Sequence, residues 1–358
     1  MSVPLLVLNY NGRALLAECL PSLVAAARRA RCGARVVVID NSSTDDSRAF
    51  LAKQHPAVEV IDRPNFGLTS YNSVLAEIEC DVALLLNNDV KLDDDAIDRL
   101  VAPLQAGSGR AACFMTAPQC RRFDGVTYEG LKTAVRWRLG LVQASCFYPG
   151  HMVASDRPAC TACAGPVMAV RRQAFLKLGG FDPLFLPGRL EDLDLVYRAF
   201  RAGWHARYVP GAVAYHAGGA TFHHVYGAAG SDQLALRNTL LFQWKNLRHP
   251  AHWLREATGI SARLLAEPLR AIAAPRDERW RFTRAVWLAW RRWQQMGHVS
   301  RRTDSLATLR RERDYFRRFH PTRIDRSDST DEEPQSSLGA IGQSSRSASH
   351  ASELAAAR

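Results

Sequence analysis

The 358 residues carry 47 Lys+Arg against 35 Asp+Glu, with 47% hydrophobic and 23% charged side chains, which excludes a disordered, collagen-like or disulfide-stapled chain and allows a large packed core. The formal charge of +12 is unevenly placed: residues 1–236 hold 24 basic and 22 acidic side chains, residues 237–326 hold 21 and 8, and residues 327–358 hold 2 and 5. The eight cysteines lack the dense spacing of a secreted framework and are expected as reduced thiols, Cys160 and Cys163 being packing residues rather than a metal or redox pair.

In chain order, Val3–Leu8 is too short and lacks the basic leader of a secretory signal, and no uninterrupted apolar run reaches the length of a membrane span. A cytoplasmic location is therefore expected. Val3–Leu8, Arg35–Ile39, Val58–Ile61 and Val82–Leu86 have the aliphatic character of strands buried on both faces. Between them, Ala14–Ala30, Asp45–Gln54 and Thr69–Glu79 carry apolar residues at helical spacing, and Asn41–Asp45 supplies capping candidates for the second helix. This alternation predicts an α/β fold with a Rossmann-like, mostly parallel sheet flanked by helices.

Ligands in such sheets gather beyond the carboxyl ends of the strands. Those ends carry Asn9-Tyr10-Asn11, Asp40-Asn41, Arg63-Pro64-Asn65 and Asn87-Asn88-Asp89. The absence of G-x-G-x-x-G after the first strand, and of G-x-x-x-x-G-K-[ST] anywhere, argues against a dinucleotide dehydrogenase or a P-loop NTPase. Residues 106–160 show no clear period and are read as the irregular middle of the same domain. Gly165–Val170 then predicts a strand, Arg172–Leu178 a helix ended by Gly179-Gly180, and Leu190–Arg201 an amphipathic helix closed by Gly203. His205–Val209 and Ala212–Tyr215 read as a strand pair around Pro210-Gly211, and from 327 onward the composition predicts a disordered tail.

Three positions invite a chemical reading beside a plain one. Asp93-Asp94-Asp95 already suit the start of the next helix, which leaves Asp89 available to a hard cation, Mg²⁺ or Mn²⁺, bridging a diphosphate. Glu191 and Asp192 either complement a helix N-terminus or place a carboxylate to remove a proton from an acceptor hydroxyl. His216 is either a buried core histidine or a ligand.

Val3-Pro4-Leu5-Leu6-Val7-Leu8-Asn9-Tyr10-Asn11-Gly12, Val38-Ile39-Asp40-Asn41-Ser42-Ser43-Thr44-Asp45, Pro64-Asn65-Phe66-Gly67 with Asn72, and Leu84-Leu85-Leu86-Asn87-Asn88-Asp89 together resemble the nucleotide-sugar half of a family 2 glycosyltransferase. Gly179-Gly180-Phe181-Asp182, Glu191-Asp192-Leu193-Asp194-Leu195, Ala202-Gly203-Trp204 and His216 follow in that family's order, nearest to its rhamnosyltransferase-like branch. Arg237-Asn238 and Lys245-Asn246 resemble the branch's next segment more faintly.

The resemblance implies a GT-A fold over residues 1–225 and inverting transfer of a hexose or deoxyhexose, such as rhamnose. The donor would be a UDP- or dTDP-sugar and the acceptor a cell-surface glycan precursor or lipid-linked glycan. It further implies that Asp40 accepts from the base N3–H, that Asn9 and Tyr10 line the base pocket, and that Asn65, Gly67, Asn72 and Asn88 shape the donor site. Asp89 and His216 would hold the divalent cation, and Asp192, with Glu191 beside it, would be the general base. Two positions depart from the pattern: Asn87 opens the metal motif in place of a carboxylate, and Tyr71 is bulky where small residues are usual. A non-catalytic nucleotide-sugar-binding or scaffold protein at the membrane is the rival reading.

Residues 226–326 form a basic extension holding six of the eight tryptophans. At roughly 100° per residue, Phe282, Val286, Trp287, Trp290 and Trp293 are expected on one helix face, with Arg281, Arg284, Arg291 and Arg292 on the other. Such a helix either lies in an anionic headgroup layer on the inner face of the cell membrane or docks on the catalytic domain. Nucleic acid is not expected as a partner, because the near-neutral first 236 residues offer no electrostatic track.

Overall fold

The computed structural model describes residues 2–105, 113–155, 159–218, 220–275, 278–297 and 306–324. The tail from 327 onward lies outside the described residues. The four aliphatic runs form parallel strands β1 (Val3–Asn9), β2 (Ala34–Asp40), β3 (Glu59–Asp62) and β4 (Val82–Asn87), side by side as β3-β2-β1-β4. Helices α1 (Arg13–Arg29), α2 (Ser47–Gln54) and α3 (Ser70–Glu77) cross between them. Asn9 stands opposite Asp40, and Leu8 opposite Asn87, so three polar strand ends share one edge.

After β5 (Val90–Leu92) and α4 (Ala96–Gln105), the stretch expected to be irregular holds the ten-residue strand β6 (Cys113–Arg122), then β7 (Tyr128–Gly130) and the hairpin β8 (Ala134–Arg138) with β9 (Leu141–Ser145). A short α5 (His151–Ala154) and β10 (Ala159–Cys160) lead to β11 (Val167–Arg171), which runs antiparallel between β4 and β6. β6 escaped the sequence reading because it is central: eight of its residues, including Thr116 and Gln119, are buried without alternation.

Next come α6 (Arg172–Lys177), α7 (Glu191–Ala202) and β12 (His205–His216). The expected strand pair is instead this one strand, whose register with β6 slips between Val209 and Val213. Proline has no N–H for the ladder, so the chain bulges at Pro210-Gly211 and resumes. β12 runs parallel to β6 and pairs His216 with Val90 of β5, carrying the histidine to the polar edge.

Two cores flank the sheet. Leu16, Leu20 and Leu23 of α1 meet Ile97, Leu100 and Leu104 of α4 on one face, whereas Val74 and Leu75 of α3, Phe175 of α6 and Leu195 and Val196 of α7 fill the other. Each such side chain contributes about 1.5–3 kcal/mol by leaving water. A third core joins the far side of α7, through Leu193 and Tyr197, to β8, β9 and the C-terminal helices α8 (Ala220–Asn246, broken at Gly227), α9 (Pro250–Ala273), α10 (Arg281–Gln295) and α11 (Leu306–Arg318). The boundary expected at 225/226 falls inside α8, and this shared core spans it. Among the described residues, no helix is long and apolar enough to cross a membrane.

Candidate active site

At the β1–β2 end of the edge, side chains lock one another in place. Asp40 is 0% exposed and accepts from Asn9 Nδ2 (3.1 Å), Ser43 Oγ (2.6 Å), the Ser43 N–H (3.0 Å) and Arg48 Nε (2.9 Å). Burial works against its charge, but the bonds from Ser43, Arg48 and Asn9 win and hold the carboxyl below its ordinary value. Four donors fill the four lone-pair sites of a carboxylate. The expected contact with a base N3–H therefore finds no free acceptor here. Asn9 is likewise engaged, its Oδ1 accepting from Asn88 Nδ2 at 2.9 Å. Gly12 lets this knot close, since a Cβ there would lie 2.0 Å from Asn88 Nδ2.

The β4–β12 end differs. Asp89 is 3% exposed; its Oδ2 lies 3.2 Å from His216 Nε2, while its buried Oδ1 has no hydrogen-bond partner among the described residues. His216 Nδ1 lies 2.8 Å from Glu129 Oε2. Burial alone would push the imidazole down, but bonding to Asp89 and Glu129 carries it up to about 9. Glu129, on β7, was missed by the sequence reading; it lies in the unpatterned middle, and only the β6–β7 pairing brings it to His216.

α7 presents its N-terminus to the same space. Asp192 Oδ2 accepts from the N–H groups of Ala164 (3.1 Å) and Gly165 (2.9 Å), and its Oδ1 from its neighbour Leu193 (2.8 Å), which fixes the carboxylate's direction. Glu191 has a buried Oε2 without a hydrogen-bond partner among the described residues, and burial together with the adjacent Asp192 charge pushes its carboxyl up to about 8. Behind them Asp194 is fully buried and pairs with Arg198 (2.7 Å), Lys245 (2.8 Å) and Asn246 (2.7 Å). Lys245 also reaches Asp182 at 2.7 Å. The faint Lys245-Asn246 match thus marks the anchor of α7, not a ligand contact.

The preceding loop is strained, with Arg189 (φ 80°) and Leu190 (φ 68°) both left-handed. Asn238 Nδ2 holds it by reaching the carbonyls of Phe185, Gly188 and Arg189, each at 2.8 Å, and Arg237 Nη2 donates to Leu186 O at 2.6 Å. Asn72 brackets Phe181 with bonds of 2.8 and 2.9 Å; Gly180 must be glycine beside it, because at φ +64° a Cβ would lie 2.2 Å from Asn72 Oδ1.

A cavity of about 480 Å³ opens between these elements, lined by Tyr10, Asn65, Gly67, Asn88, Asp89, Glu191, Asp192 and His216 among the predicted positions. Asn9, Asp40 and Asn72 stand behind the wall. Tyr71 does line it, but its hydroxyl is taken up in donating to the Leu86 carbonyl at 2.7 Å. Val225 and Tyr226, from the first turns of α8, complete the rim and were not anticipated.

The residues fit a divalent cation. Asp89 offers a partnerless buried oxygen, and His216 presents Nε2 next to it. Cys120, Glu129 and His216 also bring ligand-capable atoms within 4.8 Å of one another, but a soft sulfur ligand suits a softer metal than Mg²⁺ or Mn²⁺. The oxygen-rich Asp89 side therefore suits a hard cation better.

Residues 2–234 match the family described as Glycosyltransferase like family 2. An N-acetylglucosaminyl-diphospho-decaprenol L-rhamnosyltransferase of Mycobacterium tuberculosis is 26% identical over 279 residues, 70% of this chain and 86% of that one. An uncharacterized glycosyltransferase of Mycobacterium bovis is 29% identical over 187 residues, 52% and 75% of the two chains. Among solved structures, GalNAc-T7, crystallised with UDP, GalNAc and Mn²⁺, superposes with a TM-score of 0.50 at 18% identity, covering 68% of this chain and 48% of that one. The extent of the family match, joined to the parallel half-sheet beside whose edge Asp89 lies and the antiparallel β11 next to it, places the chain in glycosyltransferase family 2, with a GT-A-type fold.

Proposed function

We propose that this glycosyltransferase moves a hexose or deoxyhexose, rhamnose foremost, from a UDP- or dTDP-linked donor to a lipid-linked glycan acceptor in cell-wall or surface-polysaccharide assembly, with inversion at the anomeric carbon. The observation that carries the reading is the facing of two kinds of carboxylate across one cavity: Asp89 with a partnerless buried oxygen beside His216, and Asp192 held by backbone N–H groups beside Glu191. The M. tuberculosis relative, whose name gives a rhamnosyl donor and a decaprenol-linked acceptor, supports the sugar and acceptor class. A lipid-linked acceptor would place the protein peripherally at the inner face of the cell membrane.

Asp89 and His216 would hold the divalent cation, Mg²⁺ or Mn²⁺; when bound, it supplies positive charge against the departing nucleoside diphosphate. Glu129 accepts the Nδ1–H of His216, which directs Nε2 at Asp89 and the cavity. Tyr10, Asn65 and Gly67 line the side where base and ribose would lie, over the rigid Asn9–Asp40–Asn88 knot. Asp192 is aimed by the Ala164 and Gly165 N–H groups and removes the acceptor hydroxyl's proton as the oxygen attacks opposite the leaving group. Beside it, burial and the Asp192 charge raise the Glu191 carboxyl.

Asp192→Asn should lower turnover by roughly a hundred- to ten-thousandfold while UDP affinity changes little. Full turnover in that variant, with loss in Glu191→Gln instead, would move the base to Glu191.

A further inference from the structure

We propose that the outward face of α10, with Trp280, Trp287 and Trp290 set among Arg284 and Arg291, is a docking surface for an anionic lipid bilayer. This deepens the membrane-peripheral part of the proposed function and does not depend on the donor or the sugar.

The helix is held firmly on its other side. Phe282, Ala285 and Ala289 are buried in the third core, with Val286 and Trp293 partly buried against it. Glu267 of α9 caps its start, accepting from the Phe282 and Thr283 N–H groups. The face expected to be uniformly apolar is therefore split: at 100° per residue Trp287 falls roughly 140° from Phe282 and lands among the arginines. Trp280, Trp287 and Trp290 remain 50%, 49% and 53% exposed, and the Arg291 guanidinium lies over the Trp287 ring, 4.7 Å from its centroid. Since the docking side is already filled, packing against the described residues does not explain three half-exposed indoles in one arc.

Charge selects the occupant. Residues 237–326 hold 21 basic and 8 acidic side chains, and Glu256, Glu267 and Glu312 are buried. Two of them are spent inside, Glu267 at the α10 cap and Glu312 on the Arg248 and His249 N–H groups. Glu278 and Asp314 are exposed, but these three acidic side chains face inward while Arg284 and Arg291 stay exposed, so the outward charge remains basic. Half-exposed indoles flanked by arginines match an interface where rings enter the headgroup boundary and guanidinium groups meet lipid phosphates.

The test is cosedimentation of the full chain with vesicles of phosphatidylcholine alone or mixed with phosphatidylglycerol. Binding should require the anionic lipid and weaken with salt. Replacing all three tryptophans by Ser should cut partitioning by more than about tenfold, and Arg284→Gln and Arg291→Gln should each cost roughly fivefold. Both sets should leave UDP binding by calorimetry unchanged. Failure of UDP binding with vesicle binding intact would count against the transferase reading alone. Absent or tryptophan-independent binding to anionic vesicles would overturn the membrane surface. Tryptophan-dependent self-association without vesicle binding would overturn it in favour of an interface between copies of the chain, and binding to single-stranded RNA in place of vesicles would do so in favour of nucleic acid.

Discussion

Asp40 ends one buried parallel strand and Asp89 lies two residues beyond another on the same sheet edge, yet the structure treats them in opposite ways. Asp40 receives four donors from Asn9, Ser43 and Arg48, whereas Asp89 keeps an oxygen without a partner at the cavity. The same contrast recurs within one turn of α7: Asp194 is closed off by Arg198, Lys245 and Asn246, while Glu191 and Asp192 line the cavity. Burial and strand-end position do not distinguish a structural carboxylate from a reactive one. Lone pairs left over on a carboxylate that also lines the cavity do: Asp192 accepts from three N–H groups and still faces it, whereas Asp40 and Asp194 accept four bonds behind the wall.

The largest effect that could break this contrast is at Asp89. Asp89→Ala should lower transfer by roughly a hundred- to thousandfold and remove the metal dependence of nucleotide binding without unfolding the protein, as metal titrations and melting curves together would show. Asp194→Ala should do the reverse. It leaves Arg198 buried without its carboxylate and Lys245 with Asp182 alone and should cost about 3–5 kcal/mol of stability, read from denaturant unfolding.

Glu129→Gln is subtler, since the amide oxygen can still accept from His216 Nδ1 but lacks the charge that makes Nε2 a stronger ligand. Metal affinity should fall about 10–100-fold, while nucleotide binding without metal stays the same. Smallest is Asp40→Asn, which should cost about 1–3 kcal/mol and shift donor affinity only slightly; a large loss of affinity would return Asp40 to direct contact with the base.

Both satisfied carboxylates also predict an acid limb. Internal bonds hold Asp40 below the ordinary carboxylate range despite its burial, and Arg198 and Lys245 do the same for Asp194. A folded value below the unfolded one means that their stabilisation is complete above about pH 4 and is lost as pH falls through the folded value. The melting temperature of an Asp40→Asn/Asp194→Asn double variant, where it still folds, should therefore fall less between pH 5 and pH 3 than that of the wild type.

The βα units were legible because hydrophobic period and strand-end polarity are local properties: Val3–Leu8 and Val82–Leu86 come within a residue of the observed strands. Asp89, Glu191, Asp192 and His216 were legible as positions, and the cavity brings them together. What stayed hidden depends on distant pairing. β6 and Glu129 lie in a stretch without a period, and Arg48 becomes the partner of Asp40 only once α2 has folded over β2. Arg198 did leave a trace, four residues after Asp194 on one helix face. The C-terminal helices read correctly as basic and tryptophan-rich, but their sequence could not say which side of α10 would dock, because Phe282 and Trp287 differ in burial only through contacts made by α8 and α9.

The open carboxylate at Asp89 should make this cavity a metal-dependent nucleotide site. Calorimetric titration of the purified chain with UDP, dTDP, GDP and NAD, each with and without Mn²⁺, asks this directly. The account predicts binding of UDP or dTDP that requires the metal and disappears in Asp89→Ala. Failure of every diphosphate to bind, or binding indifferent to both Mn²⁺ and Asp89, would contradict it.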